Sequence, residues 1–342
     1  MNKVGPDGMW DEEDGFYYDV LRLPDGRASR LKVRSLVGLL PLCATTVIER
    51  WQRERVPRAI AGLQARFSDI PELLAGVHPV GPEHMSAEGR TLAALIGPER
   101  LRRILARMLD EQEFLSAYGI RSVSKFHEKH PYTVQVGGKE YSVSYQPAES
   151  DSGMFGGNSN WRGPVWFPIN ILLIRSMFQF FMYYGDSFRI ECPTGSGNLM
   201  TLFEVGKELS ERLQRVFTRE PSTHSAGSGQ AHSAPSASSG QAPSAGSGQG
   251  GRRAVFGGTE KFQNDPHWRD CIPFYEYIHG DNGAGLGASH QTGWTALVAA
   301  LAQVYGPFDA RTLFEAGRQA AVPKNASAAR VSTGRVAVTE AV

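Results

Sequence analysis

Three short stretches of this 342-residue chain interleave flat aromatic rings with carboxylates, amides and glycines. The first is Trp10-Asp11-Glu12-Glu13-Asp14-Gly15-Phe16-Tyr17-Tyr18-Asp19. The second runs from Gly156 through Asn158, Asn160, Trp161, Arg162 and Gly163 to Trp166. The third runs from Phe274-Tyr275-Glu276-Tyr277 through His279, Asp281, Gly283, Gly285 and Gly287 to His290-Gln291-Thr292-Gly293-Trp294. Such mixtures suit saccharides, whose C–H faces stack on rings and whose hydroxyl pairs meet fork-shaped polar groups. Loops held by rigid elements usually carry such groups. Cleaving a glycosidic bond further needs two carboxyl groups flanking it. Glu276 is the best single candidate. Phe274, Tyr275 and Tyr277 flank it, and their apolar bodies would partly desolvate it, as a general base requires. The reading predicts that Glu276, Trp161, Arg162, Trp166 and Trp294 converge on one concavity, with Asp11 and Asp19 near its mouth.

Plainer readings compete. The Asp11–Asp14 run also suits a solvated turn, and the tryptophans also suit a core. Gly283-x-Gly285-x-x-Ala288 matches a dinucleotide-binding fingerprint, but that fingerprint needs a βαβ unit and more parallel strands than the remaining chain offers.

Composition narrows the classes. Lys+Arg total 36 and Asp+Glu total 35, giving a net charge of +1. That balance argues against nucleic acid and against a polybasic membrane surface. Cys43, Cys192 and Cys271 lie far apart with no paired spacing, so neither a disulfide scaffold nor a zinc site is expected, and a reducing, cytoplasmic compartment is. The first twenty residues carry six acids and one base, unlike a secretory leader. No metal or organic cofactor is implied.

The elements that must position these clusters read as mainly helical. Leu101, Ile104, Leu105, Met108 and Leu109 recur at helical spacing, as do Leu202, Val205, Leu209, Leu213 and Val216, the latter after a cap at Gly197-Asn198. Further helices are predicted at 35–51, 57–66, 69–76, 290–305 and 308–318. The stretch 165–184 approaches membrane-spanning length, but Arg175 at mid-span favours a buried helix. Gly137-Gly138 between Tyr132–Val136 and Glu140–Tyr145 predicts one hairpin. Residues 221–251 contain only Pro, Ser, Thr, His, Ala, Gly and Gln, in repeated SAGSGQ-like units. This composition predicts a disordered insertion. It divides one domain into 1–220 and 252–319, followed by a flexible tail at 320–342.

The runs WDEEDGFYYDVL, LKVRSLVGLLPL, MFGGNSNWRGPVWFPIN and FYEYIHGDNGAGLGASHQTGWTALV resemble the C-terminal half of glycoside hydrolase family 63. The resemblance covers the chain almost end to end outside the insertion. It implies an all-α (α/α)6 toroid, or its C-terminal part, with one small hairpin. It also implies inverting hydrolysis of an α-linked glucoside or related glycoside, with an oligosaccharide or small glycoside as partner. Glu276 matches the general base, and Trp161, Arg162, Trp166 and Trp294 match the sugar subsite. The family's acid Asp belongs to an upstream glycine-rich run that has no counterpart here, and Met1-Asn2 resembles an internal position of a family helix. The expectation is therefore an incomplete catalytic domain whose exposed apolar surface favours self-association. The alternative is a non-catalytic saccharide-binding or vestigial half-barrel.

Overall fold

The computed structural model describes residues 1–2, 5, 7–69, 77–79, 84–86, 88–148, 162–220, 251–306 and 309–316. Trp161, the helix predicted at 69–76 apart from Asp69, the insertion apart from Gly251, and the tail lie outside these residues.

The helices with the clearest periodicity form. In Pro98–Met108, Leu101, Ile104, Leu105 and Met108 are buried along one face. Pro98 and Glu99 suit its first turn, where a missing N–H costs nothing and a negative charge meets the helix dipole. Leu202–Arg215 begins at Thr201, not at Gly197-Asn198. The Glu204 amide donates to the Thr201 hydroxyl at 3.3 Å, and the Thr201 amide donates to the Glu204 carboxylate at 2.7 Å. This reciprocal cap is written in the sequence as Thr-x-x-Glu. Phe167–Tyr184 is buried on most sides and packs against Leu202–Arg215 and the strand Thr45–Ile48. Among the described residues no helix is long and apolar enough to cross a membrane.

The all-α toroid expectation fails. Among the described residues, seven two-stranded antiparallel sheets alternate with nine α-helices. The predicted hairpin is there: Tyr132–Val136 pairs with Lys139–Val143, and Gly137 and Gly138 take φ of 59° and 76° at its turn. The other sheets use strands of two to four residues, too short for alternation to register. The predicted helix at 35–51 is instead two single turns, Leu36–Gly38 and Leu40–Cys43, then the strand Thr45–Ile48 paired with Thr91–Ala94. Pro41 cannot donate within a helix, and Thr45, Thr46, Val47 and Ile48 are all β-branched. The predicted helix 290–305 divides into Thr292–Thr295 and Val298–Tyr305.

One apolar cluster draws on both sides of the segment 221–250. Val255, Phe256, Ile278, Leu301 and Tyr305 belong to it together with Phe167, Phe180 and Leu209. The flanks of the segment also meet, where the Glu220 amide donates to the Arg252 carbonyl at 3.0 Å.

Candidate functional site

Extended backbone brings the second and third clusters side by side. Ser35 bridges Val123, Arg121 bridges Val165, Val165 bridges Ile278, and Ile278 pairs with Gly285, all antiparallel. Val165 and Ile278 exchange both amide–carbonyl bonds, at 2.8 and 3.0 Å. Their neighbours Trp166 and Tyr277 therefore face each other across the closer kind of antiparallel pair. The two rings stack with centroids 4.9 Å apart and planes 27° from parallel. Trp294 meets Trp166 edge-on at 6.2 Å. Trp166 and Tyr277 are fully buried, whereas Trp294 is 37 % exposed. Trp166 is thus a backing ring, and of the two tryptophans Trp294 is the one with surface to offer a ligand.

Local bonds hold Trp294 and Glu276 on adjoining segments. The Thr295 hydroxyl donates to the Tyr275 carbonyl, and the Gln291 amide donates to the Phe274 carbonyl at 2.7 Å. Glu276 is half-buried, and one carboxylate oxygen accepts a long bond from the Ala288 amide at 3.4 Å. Gly287, at φ 71°, lets the loop close over it. A Cβ there would lie 2.7 Å from the Tyr277 ring and 2.8 Å from that same carboxylate oxygen.

Arg162 and Asp19 converge elsewhere. Both line a cavity of about 180 Å³ with Leu31, Val33, Ser35, Leu36, Val37, Ser122 and Val123. The ladder forms its floor: the Leu36 amide donates to the Ser122 carbonyl at 2.8 Å, and the Gly163 amide donates to the Ser122 hydroxyl at 2.8 Å. Glu276, Trp166 and Trp294 are not among its walls. The predicted single concavity is therefore resolved into two places, an aromatic shelf beside Glu276 and this cavity.

Asp11 belongs to neither. It is buried, accepts the Asp14 amide at 2.9 Å, and lies 3.1 Å from the Lys32 ammonium. Burial alone would raise its pKa, but the Asp14 amide, Lys32 and Arg30 together hold it below the usual carboxylate range. Its role is to fasten the hairpin Trp10–Tyr17 to the strand Ala28–Leu31 and its continuation.

Asp281, a member of the third cluster, sits close by, held by partners that the sequence pattern does not single out. Asp281 accepts from the Arg121 guanidinium at 3.0 Å, the Tyr145 hydroxyl at 3.0 Å and the Lys125 ammonium at 3.3 Å. Burial would raise its pKa, but Arg121, Lys125 and Tyr145 outweigh it and leave Asp281 below its ordinary value. It is a held carboxylate, unsuited to donating a proton. The detectable signal was Arg121, a guanidinium among buried neighbours; nothing local joins it to a residue 160 positions away. Among the described residues no cluster of His, Cys, Asp and Glu could hold a metal ion.

No family model matches the chain. It is 43 % identical over 296 residues to "Uncharacterized protein YMR196W" of Saccharomyces cerevisiae, a match that covers 85 % of this chain and 24 % of the yeast protein. The chain thus spans about a quarter of the length of that relative.

Proposed function

We propose that this chain carries the water-activating part of a glycosidase acting on an α-linked glucoside or related glycoside. Glu276 is its general base and Trp294 its sugar-stacking ring. The observation that carries the reading is the placement of a half-buried Glu276, one oxygen held by the Ala288 amide, beside the exposed ring of Trp294. The motif resemblance points to the same residues. The free oxygen of Glu276 would accept a proton from water as the water oxygen bonds to the anomeric carbon. The bond to the leaving oxygen breaks on the opposite face, and that oxygen takes a proton from an acid. Asp281 does not serve as that acid, because Arg121 holds it ionised. In an inverting pair the second carboxyl stands roughly 6.5–9.5 Å from the base.

The experiment is a tryptophan-fluorescence titration with methyl α-D-glucoside. Trp294→Ala should weaken binding about tenfold, the upper range for loss of a stacking partner. Glu276→Gln should bind nearly as well as the parent. Unchanged affinity in Trp294→Ala would overturn the placement of the sugar. A non-catalytic saccharide-binding role has one observation in its favour, the ion pair that ties Asp281 to Arg121 at 3.0 Å, and would show binding with no turnover of any glycoside.

A further inference from the structure

A helix that is apolar on every side belongs in an interior. Val298–Tyr305 reads VAALAQVY, with one amide and no charge, yet five of its eight residues are exposed. Leu301 and Tyr305 are buried against the helix Leu202–Arg215, and the Tyr305 and Phe203 rings lie 5.2 Å apart. That contact uses one side only. Leu297, Ala300 and Val304 follow one another at intervals of three and four, so they share a second side. Leu297 is 36 % exposed and Val304 41 % exposed.

This strip lacks the charge of an ordinary solvated helix face. Charged residues make up 21 % of the chain, but no Asp, Glu, Lys or Arg occurs from His290 to Phe308. A nucleic acid, an acidic peptide or a basic peptide would find nothing here to pair with. A helix lying on a membrane would carry Lys or Arg beside its apolar side. The occupant must therefore be uncharged and apolar itself, and the strip is such a surface. Its order of sizes is also nearly the same in both directions. Small Ala299, Ala300 and Ala302 stand in the middle, with larger Leu297 before them and Val304 after. Two copies crossing antiparallel about a two-fold axis at the alanines could bring their helix axes close. Leu297 of each copy would then lie beside Val304 of the other.

We propose that Leu297, Ala300 and Val304 form the contact through which two copies of this chain pair. The strip is one helix wide, which suits a reversible dimer rather than a permanent one. Neither Glu276 nor Trp294 belongs to it, so the pairing does not depend on the glycosidase reading.

Sedimentation velocity of the full chain across a dilution series tests the proposal. The chain should pass from monomer to dimer as concentration rises, equally at low and high sodium chloride, since no ion pair takes part. Val304→Glu, at an exposed position, should weaken pairing at least about tenfold, because each dimer would enclose two unpaired carboxylates. An unchanged circular-dichroism melt shows that this variant folds. Ala300→Cys, in a Cys271→Ser background with copper phenanthroline as oxidant, should give a disulfide-linked dimer, because the axis brings the two copies of that position together. A monomer at every concentration would overturn the proposal, as would open-ended aggregates in place of a dimer. Dimers that Val304→Glu leaves intact, dimers that high salt dissociates, or failure of Ala300→Cys to cross-link would overturn it too. None of these outcomes bears on glucoside binding by Trp294→Ala, so the two readings fail separately.

Discussion

The Arg121 guanidinium and the Asp281 carboxylate meet at 3.0 Å across 160 positions of sequence. Arg121 is nearly buried and donates also to the Leu115 carbonyl and the Tyr145 hydroxyl at 3.0 Å. The contact pins the turn after Ile278 to the strand that carries Gly119 and Ile120. It thereby fixes the loop that closes over Glu276.

Asp281→Asn should therefore cost about 2 kcal/mol at neutral pH, the usual scale for a hydrogen bond to a charged group whose partner stays buried. Urea denaturation checks this. Because the folded state depresses the Asp281 pKa from 3.8, its contribution is present above that value and lost as pH falls through the lower folded value. The gap between parent and variant should stay constant from pH 7 to about pH 5 and close in stronger acid.

Asp11 offers a contrast with a ligand-binding carboxylate. Its oxygens are already engaged by the Asp14 amide and by Lys32. Asp11→Ala should lower stability by about 1–3 kcal/mol, since it leaves a donor in a sparsely exposed site unpaired. Affinity for methyl α-D-glucoside should not move beyond what partial unfolding explains. A selective loss of ligand binding at full folding would return Asp11 to the list of contacts.

Acid should also act through histidine. His127 is buried, and its Nε2 accepts the Arg34 amide at 2.9 Å while Nδ1 donates to the His130 carbonyl at 2.8 Å. Protonation would destroy the acceptor. Burial lowers the pKa of His127, and of His78 and His279, below the ordinary 6.5. Stability from this source is fully present above about pH 6.5 and is lost as pH falls through the folded values. The melting temperature should decline between pH 6.5 and pH 5, and less steeply in His127→Gln, whose amide cannot be protonated there. Identical slopes would remove His127 as a contributor.

How much of this was legible in the sequence follows from range. The capped helix at Leu202, the amphipathic face Leu101–Met108, and the Gly137-Gly138 hairpin are set by residues within a few positions, and each declares itself locally. The two- to four-residue strands do not, because their pairing partners lie far off: Thr45–Ile48 finds Thr91–Ala94. For the same reason Trp161, Arg162, Trp166 and Glu276 could be grouped by chemistry but not by place. The ladder turns Trp166 inward onto Tyr277 and leaves Arg162 beside Asp19.

Gly287 gives a direct handle on Glu276. Alanine there would meet the Glu276 carboxylate at 2.8 Å and take up a left-handed φ that costs roughly 1–2 kcal/mol. Gly287→Ala should thus lower any Glu276-dependent turnover more than it lowers stability, read as kcat beside a melting curve. Loss of stability with unchanged kcat would mean that the loop does not position the base.

In the proposed reaction Glu276 activates water for attack on an α-glucosyl centre. That step is tested most directly with α-D-glucopyranosyl fluoride, whose leaving group departs without a proton and so needs no acid partner. The chain should release fluoride with β-glucose as first product, followed by proton NMR of the anomeric signal. Glu276→Gln should slow that release by about 10²–10⁴-fold, the scale of a lost general base. Fluoride release at equal rates from parent and Glu276→Gln, or α-glucose as first product, would contradict it.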